Sequence, residues 1–569
     1  MRTCLASPTA ARAAPRGAVH ASALPRVSRW THSASLSGDS RKGLHPARYR
    51  PRGASEGKGA DTATGVSQPE AKRAAENDRF RCCASLGHSH FCTAPRTTGR
   101  RAVRTEAWKK LANKLLGGSS PPSSDQSVEA PPKPKEKVVE EKSDGGFAPV
   151  PEVDNLDVVL FQTFGWESSN ANGSWWDTIA SRAEDIAASG ATHAWLPPPS
   201  QSVDRAGYLP GQLYNLQSNY GGPEAMANAV KALRSAKLSP IIDIVINHRC
   251  ADKQNDDGSW TVFSDIDPRT GQEVNWGKWA ITGDDPDFGG QGNPDTGEDY
   301  GPAPDLDHLN EDLQNAIIRW LTWLRDDFGA VGWRFDFARG YGAEFIKKYI
   351  AETVTSKAFN VGEFWTDLQW EGSTLGANQN AARQALCDWL DAGQAHSHAF
   401  DFPTKGIVQE AAKNCEYWRL RDGEGKPSGL MGWWPAMAVT FIDNHDTGSS
   451  QQHWPWPGDL VGAGYAYILT HPGVPTVFWE HYFDWGEELQ KTIKDLVAAR
   501  KRNGVRADSA VRIDCADPDM YVAHTTGEKG ELVCKMGPRP DMGDLVPPAD
   551  QGWTMVASGK DFAVWEKPN

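Results

Sequence analysis

Residues 332–340 read Gly-Trp-Arg-Phe-Asp-Phe-Ala-Arg-Gly. Side chains alternate between the two faces of a strand, so Trp333, Phe335 and Phe337 are expected on one face, with Arg334 and Asp336 on the other. A short apolar strand that carries a guanidinium and a carboxylate and then stops at a glycine is typical of a barrel strand at its catalytic end. Taken alone, the charged pair is equally consistent with a salt bridge in an α/β core.

Three further segments repeat this pattern of an apolar run that ends in polar groups. They are residues 243–248 (Asp-Ile-Val-Ile-Asn-His), 361–365 (Val-Gly-Glu-Phe-Trp) and 441–446 (Phe-Ile-Asp-Asn-His-Asp). Burying a carboxylate is costly unless the group is paired or used. The four runs together therefore indicate a catalytic site rather than core packing.

In this order, the four segments resemble those of the α-amylase family of glycoside hydrolases, and plant members most of all. The resemblance is carried by the stretches PPPS, DIVINHRCAD, FDFARGY, DNHDTGS and GYAYILTHPG, and it runs from about Leu156 to Asn569. It implies an α/β fold: a (β/α)8 TIM barrel with an inserted domain B after the third strand, and a C-terminal antiparallel β-sheet domain.

The periodicity of the chain fits that architecture over residues 156–503. Apolar runs predict strands over 158–162, 191–196, 241–246, 398–402 and 475–480, and a seventh barrel strand that ends at Asp443. Helices are predicted over 175–188, 225–236, 312–327, 406–412 and 489–502, which gives parallel βα units. Residues 249–309 are rich in Gly, Asp and Asn and correspond to domain B. Short alternating runs in 504–569 predict the C-terminal sheet.

The N-terminal region has a different composition. Residues 1–38 are rich in Arg, Ser and Ala and contain no Asp or Glu, which is typical of an organellar transit peptide. With the plant-like motifs, the chloroplast is the expected location, and mitochondrion and cytoplasm are the alternatives. Residues 39–155 are polar and rich in Gly and Pro, so a disordered region and linker are expected, with one short helix over 106–116.

Composition excludes some classes of partner. The 569-residue chain has a net charge of −13, which argues against nucleic acid or an anionic membrane as the main partner. The sequence contains no run of about 20 apolar residues, so no membrane-spanning helix is expected. The nine cysteines show no spacing typical of a disulfide framework or a zinc site, which fits a reducing compartment. A monomer is expected.

Three carboxylates are the candidate catalytic groups. Glycoside cleavage requires a proton donor for the leaving oxygen and a second carboxylate for the anomeric carbon. The resemblance implies that Asp336 is the nucleophile, Glu363 the general acid/base, and Asp446 the group that binds substrate hydroxyls and stabilises the transition state. Arg334 is expected to keep Asp336 ionised. The neighbouring carboxylates, together with Phe364 and Trp365, are expected to raise the pKa of Glu363.

Substrate contacts follow from the same resemblance. Tyr208 would stack on the sugar at the cleavage point, and His248 and His445 would donate hydrogen bonds to that sugar. Trp365 would stack on the leaving-group side, with a core tryptophan as the alternative interpretation.

A surface site is implied as well. Trp433 and Trp434 resemble a tryptophan pair that binds starch away from the active site. Two adjacent side chains of an extended segment cannot both point into one core, so at least one should be exposed. Tyr521 is a candidate for a second surface site in the C-terminal domain.

A calcium site is implied by oxygen ligands of the kind that Ca²⁺ prefers. The set comprises the side chains of Asn247, Asp295 and Asp305 and the backbone carbonyls of Glu298 and Gly340. The ion would tie domain B to the barrel. Whether domain B binds further calcium ions stays open, because loop 259–277 departs from the plant pattern.

The resulting expectation is a retaining endo-hydrolase of α-1,4-glucosidic bonds in starch and maltooligosaccharides. One alternative is a transglycosylase, branching or debranching relative, which shares the four motifs. Similarity outside the motifs, in 433–435 and 464–473, favours the hydrolase. The other alternative is an inactive glucan-binding protein, and the intact set of catalytic residues argues against it.

Overall fold

The computed structural model describes residues 147–355 and 357–569. The predicted transit peptide over 1–38, the predicted helix over 106–116 and nearly all of the predicted linker lie outside the described residues. Among the helices that are described, none is long and apolar enough to cross a membrane.

Eight parallel strands close into a barrel in the order β1-β8-β7-β6-β5-β4-β3-β2. The strands are β1 (Leu160–Gln162), β2 (His193–Leu196), β3 (Ser239–Ile244), β4 (Gly332–Phe335), β5 (Val361–Gly362), β6 (His398–Phe400), β7 (Ala438–Thr440) and β8 (Val474–Phe478). In the register of the barrel, Asp243 on β3 is paired with Arg334 on β4. Arg334 is in turn paired with Val361 on β5, so the polar ends of three strands meet.

Helices surround the barrel. They are α1 (Trp175–Ala188), α2 (Pro223–Ser235), α3 (Glu311–Phe328), α4 (Ala343–Thr353), α5 (Asn380–Ala392), α6 (Phe402–Asn414), α7 (Val461–Thr470) and α8 (Glu487–Arg502). Asn310 caps α3, because its side-chain oxygen accepts a hydrogen bond from the N–H of Asp312 at 2.9 Å. The predicted TIM barrel is therefore confirmed, and α1 agrees with its predicted bounds.

The core has two layers, as the alternation of the strands requires. Leu160, Trp195, Ile241 and Val439 belong to a cluster of residues inside the barrel. Trp333, on the opposite face of β4 from Arg334, belongs to the larger cluster between the barrel and its helices. The strand alternation predicted from residues 332–340 therefore holds as far as the end of β4.

Six barrel strands end one to three residues before the predicted position, among them β4 and β7, whose ends precede acids of the candidate site. β4 ends at Phe335, and Phe337 has a φ of 41°, in the left-handed region that is costly for an aromatic residue. β7 ends at Thr440, before Asp443. After β4 the Asp336 N–H still donates to the Ile244 carbonyl of β3 at 3.1 Å. The next N–H, that of Phe337, donates instead to Glu363 Oε2 at 3.3 Å.

Residues 249–309 contain no α-helix, in agreement with the sequence. A short hairpin joins Lys253–Gln254 to Trp260–Val262. The buried Arg249 anchors this region: its Nη2 lies 3.1 Å from Asp265 Oδ2, and its guanidinium lies 4.4 Å from the centroid of the Trp276 ring.

The C-terminal sheet has five antiparallel strands in the order β9-β10-β11-β13-β12. They are β9 (Ala510–Ala516), β10 (Tyr521–Gly527), β11 (Gly530–Met536), β12 (Thr554–Gly559) and β13 (Phe562–Pro568). Tyr521 is fully buried, and its hydroxyl lies 2.9 Å from His471 Nε2, just beyond the end of α7. The prediction that Tyr521 forms a surface sugar site is therefore wrong, because strand alternation turns its ring towards α7.

Packing against the barrel begins before residue 156. Phe147 is buried, and its ring lies 5.4 Å from the Arg234 guanidinium. Arg234 Nε also donates a hydrogen bond to the carbonyl of Ala148 at 2.6 Å. Residues 147–155, which the sequence assigns to the linker, thus contact the outside of the barrel.

Candidate active site

Arg334 lies at the centre of the candidate site. It is fully buried on β4, and its Nη1 lies 2.6 Å from Asp336 Oδ1 and 2.9 Å from Asp243 Oδ1. Its Nη2 lies 2.8 Å from Glu363 Oε1. One guanidinium therefore contacts three carboxylates, one on β3 and two directly after β4 and β5, and we call these four residues the arginine cluster.

Sequence reasoning did not single out Asp243, although it opens one of the four motifs. Its carboxylate accepts hydrogen bonds from Trp195 Nε1 and from the Tyr208 hydroxyl, each at 3.1 Å. Asp243 therefore connects the buried cation to an aromatic side chain that borders the site. Its position at a barrel-strand end, shared with the other acids, is the signal that could have identified it.

The charges of the arginine cluster do not balance if every carboxyl is ionised. Burial raises the pKa of Glu363 to about 8; Arg334 acts in the opposite direction, and the nearby Asp336 and Asp446 add to the rise. Burial also raises the pKa of Asp336, again opposed by Arg334. The arrangement favours a proton on Glu363, as predicted. Arg334 does act to keep Asp336 ionised, but it works against a large cost of burial.

Asp446 lies on the loop that follows β7 and is more accessible, with 23% of its side chain exposed. Its Oδ2 lies 3.4 Å from Nε2 of the buried His445. Gln162 Nε2 donates to His445 Nδ1 at 3.0 Å, which leaves the ring proton on Nε2, facing Asp446. Burial lowers the pKa of His445 to about 4, so the ring is a neutral hydrogen-bond donor.

Aromatic rings border these groups. Tyr208 stacks on His445 with centroids 5.1 Å apart and 10° between the planes. Trp166 lies parallel to Tyr208 at 6.2 Å and 2°. Trp166 follows β1 and was not predicted as a site residue; as one tryptophan among 24, it gave no distinguishing signal.

His248, predicted to donate a hydrogen bond to the sugar, contacts protein groups through both ring nitrogens. Its Nε2 donates to the Tyr208 carbonyl at 2.8 Å, and Nδ1 lies 3.3 Å from Asn247 Nδ2. Its ring stacks on Tyr300 at 3.8 Å. Both ring nitrogens thus have protein partners, so a hydrogen bond from His248 to a sugar would require one of them to be released.

Trp365 is half-buried beside Glu363. One face of its ring stacks on Phe402, with centroids 4.5 Å apart and 16° between the planes. Its carbonyl accepts a hydrogen bond from Arg339 Nη1 at 2.7 Å. Phe402 and Arg339 thus fix the position of the Trp365 side chain and backbone. This position agrees both with the stacking role and with the alternative of a core tryptophan.

A second group of acids lies where domain B meets the barrel. Carboxylate oxygens of Asp295, Asp299 and Asp305 lie within 4.8 Å of one another, and we call these three residues the aspartate cluster. Asn247 Nδ2 donates to Asp305 Oδ1 at 2.9 Å. Among the described residues, Asn247 Oδ1 and Asp295 Oδ2 are buried without a hydrogen-bond partner. Burial, reinforced by nearby acids, raises the pKa of Asp305 to about 8.

The backbone closes around the same point. A Cβ atom at Gly340 would clash with Asn247 Oδ1, so only glycine permits this close approach. The Glu298 N–H donates to the Arg339 carbonyl at 3.2 Å, while its side chain pairs with the Arg339 guanidinium. Unpartnered oxygens on an acidic, partly buried site are the donor set that a hard cation needs, so these residues fit calcium. Asp299 was missed because one more acid in an Asp-rich loop is not distinctive.

Trp433 and Trp434 are both half-buried on the segment before β7. The Arg383 guanidinium lies 4.0 Å from the centroid of the Trp433 ring. Trp434 packs against the main core. Each ring keeps some accessible surface, but neither is exposed, so the expectation that at least one would be exposed is met only in part.

A closed (β/α)8 barrel that carries paired carboxylates at the C-terminal ends of its strands has the architecture of a glycoside hydrolase. Residues 162–448 match the family model "Alpha amylase, catalytic domain". Residues 502–566 match "Alpha-amylase C-terminal beta-sheet domain". The chain therefore belongs to the α-amylase family.

Individual relatives agree with this assignment. "Probable alpha-amylase 2" of Arabidopsis thaliana is 42% identical over 410 residues, which cover 72% of this chain and 94% of the relative. "Alpha-amylase 3, chloroplastic" of the same plant is 41% identical over 409 residues, which cover 72% of this chain but 44% of that relative.

Solved structures support the fold alone. The α-amylase of Geobacillus thermoleovorans has a TM-score of 0.53 at 14% identity and covers 73% of this chain and 99% of its own. The γ-CGTase of an alkalophilic Bacillus clarkii has a TM-score of 0.52 at 15% identity, with 74% and 71% covered.

Proposed function

We propose that the protein hydrolyses internal α-1,4-glucosidic bonds of starch with retention of anomeric configuration. The observation that carries the proposal is the contact of one buried guanidinium with both Asp336 and Glu363. This shared contact keeps the two carboxyls close, as direct attack by one of them requires. The family relationship, through relatives named as α-amylases, supports starch as the substrate.

In the first step, Asp336 attacks the anomeric carbon while Glu363 transfers its proton to the glycosidic oxygen. The carbon–oxygen bond breaks, the aglycone leaves as an alcohol, and an ester links the sugar to Asp336. A pKa of Glu363 raised to about 8 keeps the acid protonated at neutral pH. The short Arg334 contact orients the attacking oxygen of Asp336.

In the second step, the ionised Glu363 removes a proton from water, and the resulting hydroxide attacks the anomeric carbon. The ester bond to Asp336 breaks, and the product has the α configuration of the substrate. Asp446 and the Nε2–H of His445 are proposed to bind hydroxyls of the reacting sugar. Asp446 also stabilises the positive charge of the oxocarbenium-like transition state.

Calcium is proposed as the structural cofactor. Asn247, Asp295 and Asp305 would hold it, joined by the carbonyl of Gly340 and by Asp299. When bound, the ion supplies a positive charge that offsets the aspartate cluster and links domain B to the segment that follows the nucleophile. The Glu298 carbonyl remains the ligand implied by the resemblance.

Two further parts of the proposal concern location and starch binding. The composition of residues 1–38 and the chloroplastic relative support residence in a plastid. The accessible surfaces of Trp433 and Trp434 support a secondary contact with starch. One face of the Trp433 ring is covered by the Arg383 guanidinium, so a sugar would stack on the other face.

The proposal is tested by incubating the protein with soluble starch and following the products by chromatography and ¹H NMR. Oligosaccharides of several lengths that appear first as α-anomers are expected. Longer or branched products would favour the transglycosylase alternative instead. Starch binding without turnover would favour the inactive glucan-binding protein.

A further inference from the structure

Beneath the loop that carries Asp446 lies a buried ion pair that the catalytic steps do not use. Lys405, on the first turn of α6, is 1% exposed, and Asp443, just before the loop, is 3% exposed. Lys405 Nζ lies 3.6 Å from Asp443 Oδ1. Burying two charges is costly, so such a pair adds little net stability by itself, and the contacts around it indicate what arrangement it imposes.

Lys405 binds the far end of the same loop. Its Nζ donates to the carbonyl of Trp454 at 2.8 Å and lies 4.5 Å from the centroid of that ring. Gln409, one turn further along α6, contacts Lys405 Nζ through its side-chain oxygen. Gln409 Nε2 donates to the carbonyl of Pro455 at 2.9 Å. Two side chains on one face of α6 thus fix consecutive carbonyls of the loop.

Asp443 joins the two ends of the loop. Its carboxylate accepts hydrogen bonds from the Trp456 N–H at 3.1 Å and from the Thr447 hydroxyl at 3.0 Å. On the side away from α6, His481 Nε2 lies 3.6 Å from Asp443 Oδ2, and burial lowers the pKa of His481 to about 4. Lys405 is therefore the cation that faces this carboxylate.

The constraint reaches Asp446 through the backbone. The Asp446 N–H donates to Asn444 Oδ1 at 3.1 Å, and its carbonyl accepts from the His453 N–H at 3.2 Å. Asn444 Oδ1 also accepts from the Thr447 N–H at 2.8 Å. Each of these residues lies within the loop that Asp443 closes and that Lys405 holds.

We propose that Lys405 is a positioning residue for Asp446: with Asp443 and Gln409 it fixes loop 443–456 on α6 and so sets the place of the transition-state-stabilising carboxylate. Lys405 does not touch the substrate in this account. The inference rests on the proposed function, because Asp446 must act on a sugar for its position to matter.

The test is a double-mutant cycle of Lys405→Met with Asp446→Asn, using a 4-nitrophenyl maltoheptaoside and the full chain. Lys405→Met is expected to lower kcat about 30-fold with little change in KM, since a small misplacement of a transition-state group costs up to about a hundredfold. In the Asp446→Asn background, the same substitution is expected to cost less than about threefold. An equal loss in both backgrounds would overturn the proposal.

Tyr521→Phe is the matched control, because it removes a buried hydrogen bond to His471 away from the loop. It is expected to lower the thermal midpoint without coupling to Asp446. If Lys405→Met fails to fold, Gln409→Met is used instead. This substitution removes the hydrogen bond to the Pro455 carbonyl but leaves the Lys405–Asp443 ion pair in place. No coupling of Gln409→Met to Asp446 would then overturn the proposal.

Hydrogen exchange separates this inference from the proposed function. Lys405→Met is expected to speed amide exchange in peptides that span 443–456, whether or not the protein cleaves starch. Unchanged exchange would overturn the inference alone. An inactive wild-type protein with the expected exchange would instead contradict the proposed function.

Discussion

The arginine cluster and the aspartate cluster each bring three carboxylates close together, but they differ in how that negative charge can be balanced. The carboxyl groups of the first are buried, whereas in the second Asp305 is buried, Asp295 is half-buried and Asp299 is exposed. Unbalanced negative charge is costly wherever such groups are buried. In the first, Arg334 supplies a permanent cation within contact of all three. In the second, no Lys or Arg of the described residues pairs with Asp295, Asp299 or Asp305. Within the described residues, the arginine cluster thus contains its own cation, whereas the aspartate cluster and the adjacent Asn247 have unpartnered oxygens that fit a cation from solution.

Replacing the permanent cation should have the largest effect. Arg334→Met leaves buried carboxylates without their partner, and the free energy of unfolding is expected to fall by about 3–5 kcal/mol. Calcium should not restore the loss. Urea unfolding measures it, with Arg512→Met as the control, since Arg512 is 70% exposed and pairs only at the surface. A loss no larger than that of the control would show that Arg334 does not balance the cluster.

Removing one acid from the arginine cluster should separate activity from stability. Glu363→Gln is expected to lower kcat on soluble starch by a factor on the order of 10³, because the proton donor is lost. The free energy of unfolding should change by less than about 1 kcal/mol, because glutamine resembles the protonated acid. Retained activity would contradict the assignment of Glu363.

Removing calcium with a chelator should lower the stability of the protein, and adding calcium back should restore it. Calcium at a hundredfold excess over its Kd is expected to stabilise the protein by about 2.7 kcal/mol, and a chelator should remove this gain. Asp305→Asn should lower the calcium-dependent shift in Tm. It should stabilise the calcium-free protein at neutral pH, because a carboxyl whose pKa is raised to about 8 must take up a proton on folding and the amide need not. Calorimetry with and without the ion tests both; an unchanged calcium shift in the variant would exclude Asp305 as a ligand.

The pH dependence of kcat/KM should show that the charge of Asp446 affects the pKa of Glu363 in the arginine cluster. With the pKa of Glu363 at about 8, kcat/KM should fall above that pH as the acid loses its proton. The charge of Asp446 contributes to raising this pKa, so Asp446→Asn should lower it and move the alkaline limb to lower pH. A limb that stays in place in the residual activity of the variant would argue against this electrostatic coupling.

Trp433 belongs to neither charge cluster, so its replacement should affect starch binding alone. Trp433→Ala is expected to weaken adsorption to starch granules severalfold, through loss of a stacking surface. Its kcat on maltoheptaose and its calcium-dependent Tm should equal those of the wild type. Sedimentation of granules with bound protein provides the measurement, and unchanged adsorption would remove Trp433 from the starch contact.

The placement of the candidate catalytic acids was predictable because each follows an apolar run, and parallel strands bring their C-terminal ends to one rim. Asp243 shows the limit of this reasoning: its value as a partner depends on register, which pairs it with Arg334. The positive φ of Phe337 is likewise set by its surroundings and not by the local sequence.

Packing accounts for the other differences. α7 was not predicted because it is buried along nearly its whole length and lacks a polar face that would reveal its period. Tyr521 was misplaced because alternation alone does not say which face of a C-terminal strand meets α7. The candidate calcium ligands required the resemblance, since acidic loops are usually only solvated. Asp299, which lies beside Asp295 and Asp305, was not among the residues that the resemblance implied.

The central claim, that Asp336 is the nucleophile of a retaining glycosidase, is tested most directly by trapping the ester. The Glu363→Gln variant would be incubated with α-maltosyl fluoride, whose leaving group needs no proton, and digested for mass spectrometry. Ester formation should proceed, while its hydrolysis is slow without the base. A maltosyl adduct is expected on the peptide that contains Asp336. Conversion of the fluoride to β-maltose without any adduct, or an adduct on another acid, would contradict it.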